Sequence, residues 1–330
     1  MTPREREYRK AVNRIGVTML IFYGAFFAFS FMIAIVGALT SGLDFFVGTV
    51  IYETVYGLGY AAAFLLPALL FFVMFKKKGA RPITAGAVLP RATPIYIIVG
   101  IAIINAAAQC NSILLELFEY ASYSEENFFT NSTTHNFEVV LMVFTTAIVP
   151  GFVEEILFRG VILTNLKPFG RTTAVLGSAL LFALMHQNPG QLLYAFVAGV
   201  VLGYVYVYTE SLWCCVLIHF CNNFLGVLQF VLMERLPLAT ANLVLYLMNT
   251  AIFALGILGA IYLILKQRDR HGALLLSGTF ETEVEADPEY AKGEIPLGRR
   301  VRLFFSPIMI VFASLCVAQM AIFLLASLAA

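Results

Sequence analysis

The sequence predicts an all-α, polytopic transmembrane helical bundle of about eight to nine spanning helices with a cytosolic N-terminus. Three observations lead there. Hydrophobic residues make up 60% of the 330-residue chain and charged ones 12%, against roughly a half and a quarter in soluble domains, and the mean hydropathy is +0.86. The apolar residues are gathered into runs of the length that spans a hydrocarbon core. Lys and Arg collect in alternate connecting segments, the bias that marks the cytosolic side.

The basic start "MTPREREYRKAVNR" leads into the first run, 15–38. That run is too long, and "VGALTSGLDF" behind it too poor a cleavage site, for a removable signal peptide. Further runs cover 47–75, 94–118, 137–165, 172–187, 190–209, 212–232, 240–265 and 303–328. The fifth and sixth are short and are divided by the tight break "QNPG" (187–190), so the count of nine holds to within one. With the N-terminus inside, the segments "REREYRK", "KKKGAR", "KPFGR", "KQRDRHG" and "GRRVR" are cytosolic, and Arg235 alone falls in an outer loop. The acidic stretch 119–138 then lies outside, and its "NST" (131–133) fits a glycosylation sequon, a triplet common by chance.

The chain divides into N-terminal transmembrane helices (1–135), a helical core carrying the unusual polar residues (136–230), and C-terminal helices (231–330) interrupted by a polar segment, 266–302. That segment reads as a solvated cytosolic loop, partly disordered. The five cysteines lie in apolar segments without disulfide or zinc-knuckle spacing, and read as buried free thiols. "GVVLG" (199–203) has the small-xxx-small spacing of close helix contacts. A net charge of +1 gives no support for a nucleic-acid partner.

Three polar clusters interrupt the greasy helices. In "PGFVEEILFRG" (150–160), Glu155 and Arg159 are four apart and share a helix face, while Glu154 is turned about 100° away. One carboxylate can therefore be neutralised while the other faces a cavity. Pro150-Gly151 should bend the helix and free a carbonyl. In "FALMH", Phe182 and His186 are one turn apart, and in "HFCNN", His219 and Asn223 are. Ionisable groups in a bilayer are costly and usually face the bundle interior or water. Singly, each has a bland reading: the glutamates snorkel to headgroups, a histidine or Asn223 bonds a neighbouring helix. Counted from a turn at 166–171, Glu154 and His186 both lie roughly 18–22 Å along an antiparallel hairpin, so they can face each other.

Such groups suit hydrolysis, which needs an activated water and a stabiliser for an oxyanion. Neither the serine elbow GxSxG nor the zinc signature HExxH is present. In order and spacing, "EEILFR", "FALMH" and "HFCNN" resemble the EExxxR, FxxxH and HxxxN motifs of the CPBP family. These are the CAAX proteases and bacteriocin-processing enzymes, also called the abortive-infection family, and they include the type II CAAX prenyl endopeptidases. The resemblance covers roughly 136–230, under a third of the chain.

The resemblance implies an intramembrane endopeptidase with its site in a cavity of the bundle. Glu154 with His186 would activate water, His219 and Asn223 would form the oxyanion hole, and Glu155 with Arg159 would hold the site together. Asn222, three residues from His219, is placed to share or replace the part of Asn223. A rival account of the family makes Glu154, His186 and His219 zinc ligands; the cofactor-free version is favoured and zinc stays open. The implied partners are the lipid bilayer and a peptide or lipidated protein substrate, either a CAAX protein or a leader peptide, and the implied location is a bacterial plasma membrane. Two other classes compete: a non-catalytic membrane adaptor or immunity-type protein of the same fold, and a proton-coupled transporter, although internal repeats are not evident.

Overall fold

The computed structural model describes residues 1–83, 89–117, 136–271 and 295–329. Ten helices and no strand are found among the described residues: α1 (Pro3–Thr40), α2 (Phe45–Phe75), α3 (Thr93–Leu117), α4 (Asn136–Phe169), α5 (Arg171–Met185), α6 (Pro189–Thr209), α7 (Leu212–Arg235), α8 (Leu238–His271), α9 (Leu297–Phe304) and α10 (Pro307–Ala329). Eight of them, all but α5 and α9, are long and apolar enough to cross a membrane. The protein is an integral, multi-pass helical bundle. α5, with 15 residues, reaches only roughly 22 Å and so falls short of the ~30 Å hydrocarbon core.

Local chemistry sets the helix ends. α1 begins well before the apolar run at 15, because Thr2 and Glu5 form a reciprocal cap. The Glu5 amide donates to Thr2 Oγ1 at 3.2 Å and the Thr2 amide to Glu5 Oε2 at 3.0 Å. The basic stretch is thus the solvated start of the first helix. α5 and α6 are parted by Gln187 in the left-handed region (φ 52°), after which Asn188 caps α6 by accepting from the Gly190 amide at 2.9 Å. Glu210 (φ 49°) parts α6 from α7 in the same way.

The polar segment 266–302 needs correcting at both ends, where it is helical: α8 runs on to His271 and α9 starts at Leu297. Its centre, 272–294, lies outside the described residues, as do 118–135 with the NST triplet. The reading of the cysteines also needs a correction. All five are free thiols, but Cys110 is exposed on the apolar surface and Cys221 is only half-buried.

One buried cluster reaches from Tyr8 in α1 to Met320 in α10 and draws on α2, α4, α5, α6 and α7. α3 and α8 pack together at its side, joined by a hydrogen bond from Asn105 Nδ2 to Asn249 Oδ1 at 2.8 Å. α6 comes close to α5 because of its glycines. A Cβ on Gly199 would sit 2.8 Å from Ala179 Cα, and one on Gly203 would sit 2.9 Å from Val175 Cγ1. The small-xxx-small spacing is a helix contact here.

One end of the bundle gathers the basic segments. Arg4 Nη2 donates to the Pro168 carbonyl at 2.8 Å and the Arg81 amide to Asn165 Oδ1 at 2.8 Å. Lys167 Nζ pairs with Glu210 Oε1 at 2.8 Å, Arg299 Nε with Glu5 Oε1 at 3.0 Å, and Arg300 Nη1 donates to the Phe169 carbonyl at 3.1 Å. The N-terminus of α1, the α2–α3 connection, the α4–α5 and α6–α7 turns and α9 therefore share that end.

Candidate active site

α4 carries the first cluster and is not a regular helix. Two wide stretches with π-type hydrogen bonding, Val143–Ile148 and Ile156–Leu163, flank the short α-helical piece Val149–Glu155. Such widenings recur at functional sites. Pro150 has no N–H to return to the Thr146 carbonyl four residues back, and Asn223 Nδ2 on α7 donates to that carbonyl instead, at 3.1 Å. Gly151 lets α7 approach, since a Cβ there would lie 3.1 Å from the Phe220 amide nitrogen.

Glu155 and Arg159 are both 0% exposed and sit behind the cavity. Glu155 Oε1 accepts from Arg159 Nη1 at 2.8 Å and from His219 Nδ1 at 2.8 Å. Arg159 Nη2 donates to the Gly199 carbonyl at 3.1 Å, and the guanidinium lies 4.8 Å from the centroid of the Phe182 ring. One ion pair therefore ties α4 to α5, α6 and α7. A charge buried this fully is tolerated only when paired and hydrogen-bonded.

Glu154 faces the other way and is 3% exposed. Its Oε1 accepts from the Tyr60 hydroxyl at 2.6 Å. Its Oε2 is buried without a hydrogen-bond partner and lies 3.9 Å from His219 Nε2. His186 Nδ1 lies 2.8 Å from the Phe182 carbonyl. A carbonyl only accepts, so Nδ1 carries the proton and Nε2 is the basic nitrogen of the neutral ring. The Phe182 ring meets both imidazoles edge-on, 5.1 Å from His186 and 5.9 Å from His219.

Glu154, His186, His219 and Asn223 line one cavity of about 480 Å³. Asn222, Gln191 and Tyr194 extend its polar side, while Phe26, Ile104, Met185 and Val227 form apolar wall. Asn222 Nδ2 donates to the Tyr194 hydroxyl at 2.6 Å and to Asn223 Oδ1 at 3.1 Å. That contact, with the bond to Thr146, fixes the Asn223 amide and leaves its second N–H for the cavity. Four of the six residues singled out from sequence are brought together on the cavity, and the other two, Glu155 and Arg159, brace it.

Residues 136–225 match the family model of the type II CAAX prenyl endopeptidase Rce1-like proteins. No curated protein and no solved structure matches the chain. The Rce1-like segment runs from α4 into α7 and holds all six residues. The Rce1-like family is a family of proteases, so the match supports protease chemistry in the broad sense.

Zinc held by Glu154, His186 and His219 would need three donors gathered at one point. Among the described residues no group of three or more His, Cys, Asp or Glu side chains is arranged to hold a metal ion, so the present geometry does not offer that set. Several polar cavity residues are not marked in the sequence, Tyr56, Tyr60, Thr145, Thr146, Gln191 and Tyr194 among them. Tyr60 lies on α2, outside the Rce1-like segment, and Gln191 and Tyr194 lie on α6. The available signal was "YETVYGLGY", where Tyr52, Tyr56 and Tyr60 recur every four residues along one helix face.

Proposed function

We propose that the chain is an intramembrane endopeptidase that hydrolyses a peptide bond of a membrane-associated protein or peptide, of CAAX or leader-peptide type. The observation that carries this is the unpartnered carboxylate oxygen of Glu154, which shares one cavity with two imidazoles and a carboxamide, all four residues lying within the Rce1-like segment.

Water entering the cavity is held between Glu154 Oε2 and His186. Glu154 takes a proton as the water oxygen attacks the scissile carbonyl. The tetrahedral oxyanion is met by His219 as an imidazolium, whose Nδ1–H is donated to Glu155 and whose Nε2–H is donated to the oxyanion, and by the second amide N–H of Asn223. The C–N bond then breaks and Glu154 passes its proton to the leaving amine. Glu155 and Arg159 keep His219 in orientation. The mechanism needs no cofactor, and no step passes through a metal. The arginine- and lysine-rich end of the bundle is the cytosolic one, and the convergence of Arg4, Arg81, Lys167, Arg299 and Arg300 at one end supports that orientation. A bacterial plasma membrane is the location that the family resemblance alone implies.

The test uses the full chain purified in detergent and two internally quenched peptides, one ending in an S-farnesylated CAAX sequence and one carrying a leader-peptide junction. The wild type is expected to cleave one of them, with or without a chelator. Glu154→Gln is expected to be folded and inactive. Cleavage retained in that variant rejects the assignment.

A further inference from the structure

We infer that Tyr60 is a positioning residue for Glu154: its hydroxyl holds one carboxylate oxygen so that the other is the one presented to the cavity. This rests on the peptidase reading above and adds to it a residue from α2, a helix outside the Rce1-like segment.

A glutamate's terminal torsion is broad and roughly two-fold, so nothing intrinsic decides which oxygen points where. In this protein the two oxygens differ sharply. Oε1 takes a 2.6 Å hydrogen bond from the phenol, the length of a charge-assisted contact. Oε2 is buried, has no hydrogen-bond partner and faces His219 Nε2 at 3.9 Å. A carboxylate held at one oxygen keeps the lone pairs of the other for a proton coming from the cavity. The neighbouring Glu155 also has one bonded oxygen, shared by Arg159 and His219, and a buried unpartnered Oε2, but it does not line the cavity as Glu154 does.

The direction of the phenol is itself set by packing. The Tyr60 ring stacks on Tyr56 with centroids 5.9 Å apart and a 17° interplanar angle, and lies 4.8 Å from Phe64. Phe26 and Phe29 meet it edge-on at 6.2 and 5.8 Å. Four rings therefore aim the hydroxyl at Glu154. If the ring mattered only as packing, a phenylalanine at this position would serve as well.

Tyr60→Phe keeps the ring and removes only the donor. With the cleaved quenched peptide as probe, kcat is expected to fall roughly ten- to a hundredfold, with KM within about twofold and unfolding midpoint near wild type. A wild-type kcat in Tyr60→Phe overturns the inference. Infrared spectra of ¹³C-glutamate-labelled protein give a second readout that needs no substrate. The carboxyl band lost in Glu154→Gln should shift in Tyr60→Phe, and an unshifted band overturns the inference. If the wild type cleaves neither peptide, the peptidase reading fails for those probes, and the infrared result alone decides whether Tyr60 holds Glu154.

Discussion

Replacing Arg159 by methionine removes one half of an ion pair in which both residues are 0% exposed. Glu155 keeps His219 Nδ1 at 2.8 Å but loses the guanidinium at the same distance, and the Gly199 carbonyl loses its donor at 3.1 Å. Breaking a buried pair from one side costs about 3–5 kcal/mol, because the remaining charge is left uncompensated. That is roughly two to three and a half orders of magnitude in the folding equilibrium. Unfolding by SDS titration in mixed micelles measures it, and the chain supplies a reporter. Its single tryptophan, Trp213 on α7, packs 5.5 Å from Phe152 on α4, so its fluorescence follows separation of α4, which carries the ion pair, from α7, which His219 bonds to Glu155. Glu155→Gln should cost a similar amount. The double variant removes both charges and should lose at least about 2 kcal/mol less than the sum of the two, since distant independent sites add to within about 0.5 kcal/mol. Strict additivity, or an Arg159→Met protein as stable as wild type, would refute the reasoning.

Other consequences are as direct. Asn223→Ala should lower kcat by about 10²–10³ and, by stripping the Thr146 carbonyl of its donor, destabilise by roughly 1–3 kcal/mol; peptide cleavage and SDS titration read the two effects, and a kcat within twofold of wild type would remove Asn223 from the oxyanion role. At the basic end, the hydrogen bond and charge of Lys167 hold the Glu210 carboxyl below its usual value of 4.5. A depressed carboxylate contributes stability above the unfolded value and loses it as pH falls through the folded one. Because Glu210 is largely exposed, the contribution is small, roughly 0–1 kcal/mol. Lys167→Ala should therefore change stability little at neutral pH and make the loss below about pH 4.5 shallower, and an unchanged acid limb would count against the pair.

How much of this was readable in the sequence varies with the distance over which each feature is encoded. Membrane helices were legible because burial in lipid imposes continuous apolarity, and a single run carries the signal. Arg159 beside Glu155 was legible because i, i+4 spacing is a local geometric fact, and the hairpin count put Glu154 and His186 at one depth. The second partner of Glu155 was not legible. His219 lies 64 residues on, and nothing near it marks which carboxylate it meets. Tyr60 was missed for the same reason: it reaches Glu154 across 94 residues, from a helix whose tyrosine spacing looks like ordinary packing. The bend near Pro150 was legible, but the π-type stretches Val143–Ile148 and Ile156–Leu163 show no pattern that hydrophobic periodicity reveals. The start of α1 lies ahead of the apolar run, since hydropathy marks only the run, whereas the Thr2–Glu5 cap sets where the helix begins.

The proposed hydrolysis needs one oxygen atom of Glu154 to act as a base inside the bilayer. The most direct measurement is cleavage of a quenched peptide by the purified wild type and by Glu154→Gln, side by side in the same detergent, with circular dichroism and SDS titration showing both to be folded. Product is expected from the wild type and none above background from the variant. Equal product from both would contradict that role for Glu154.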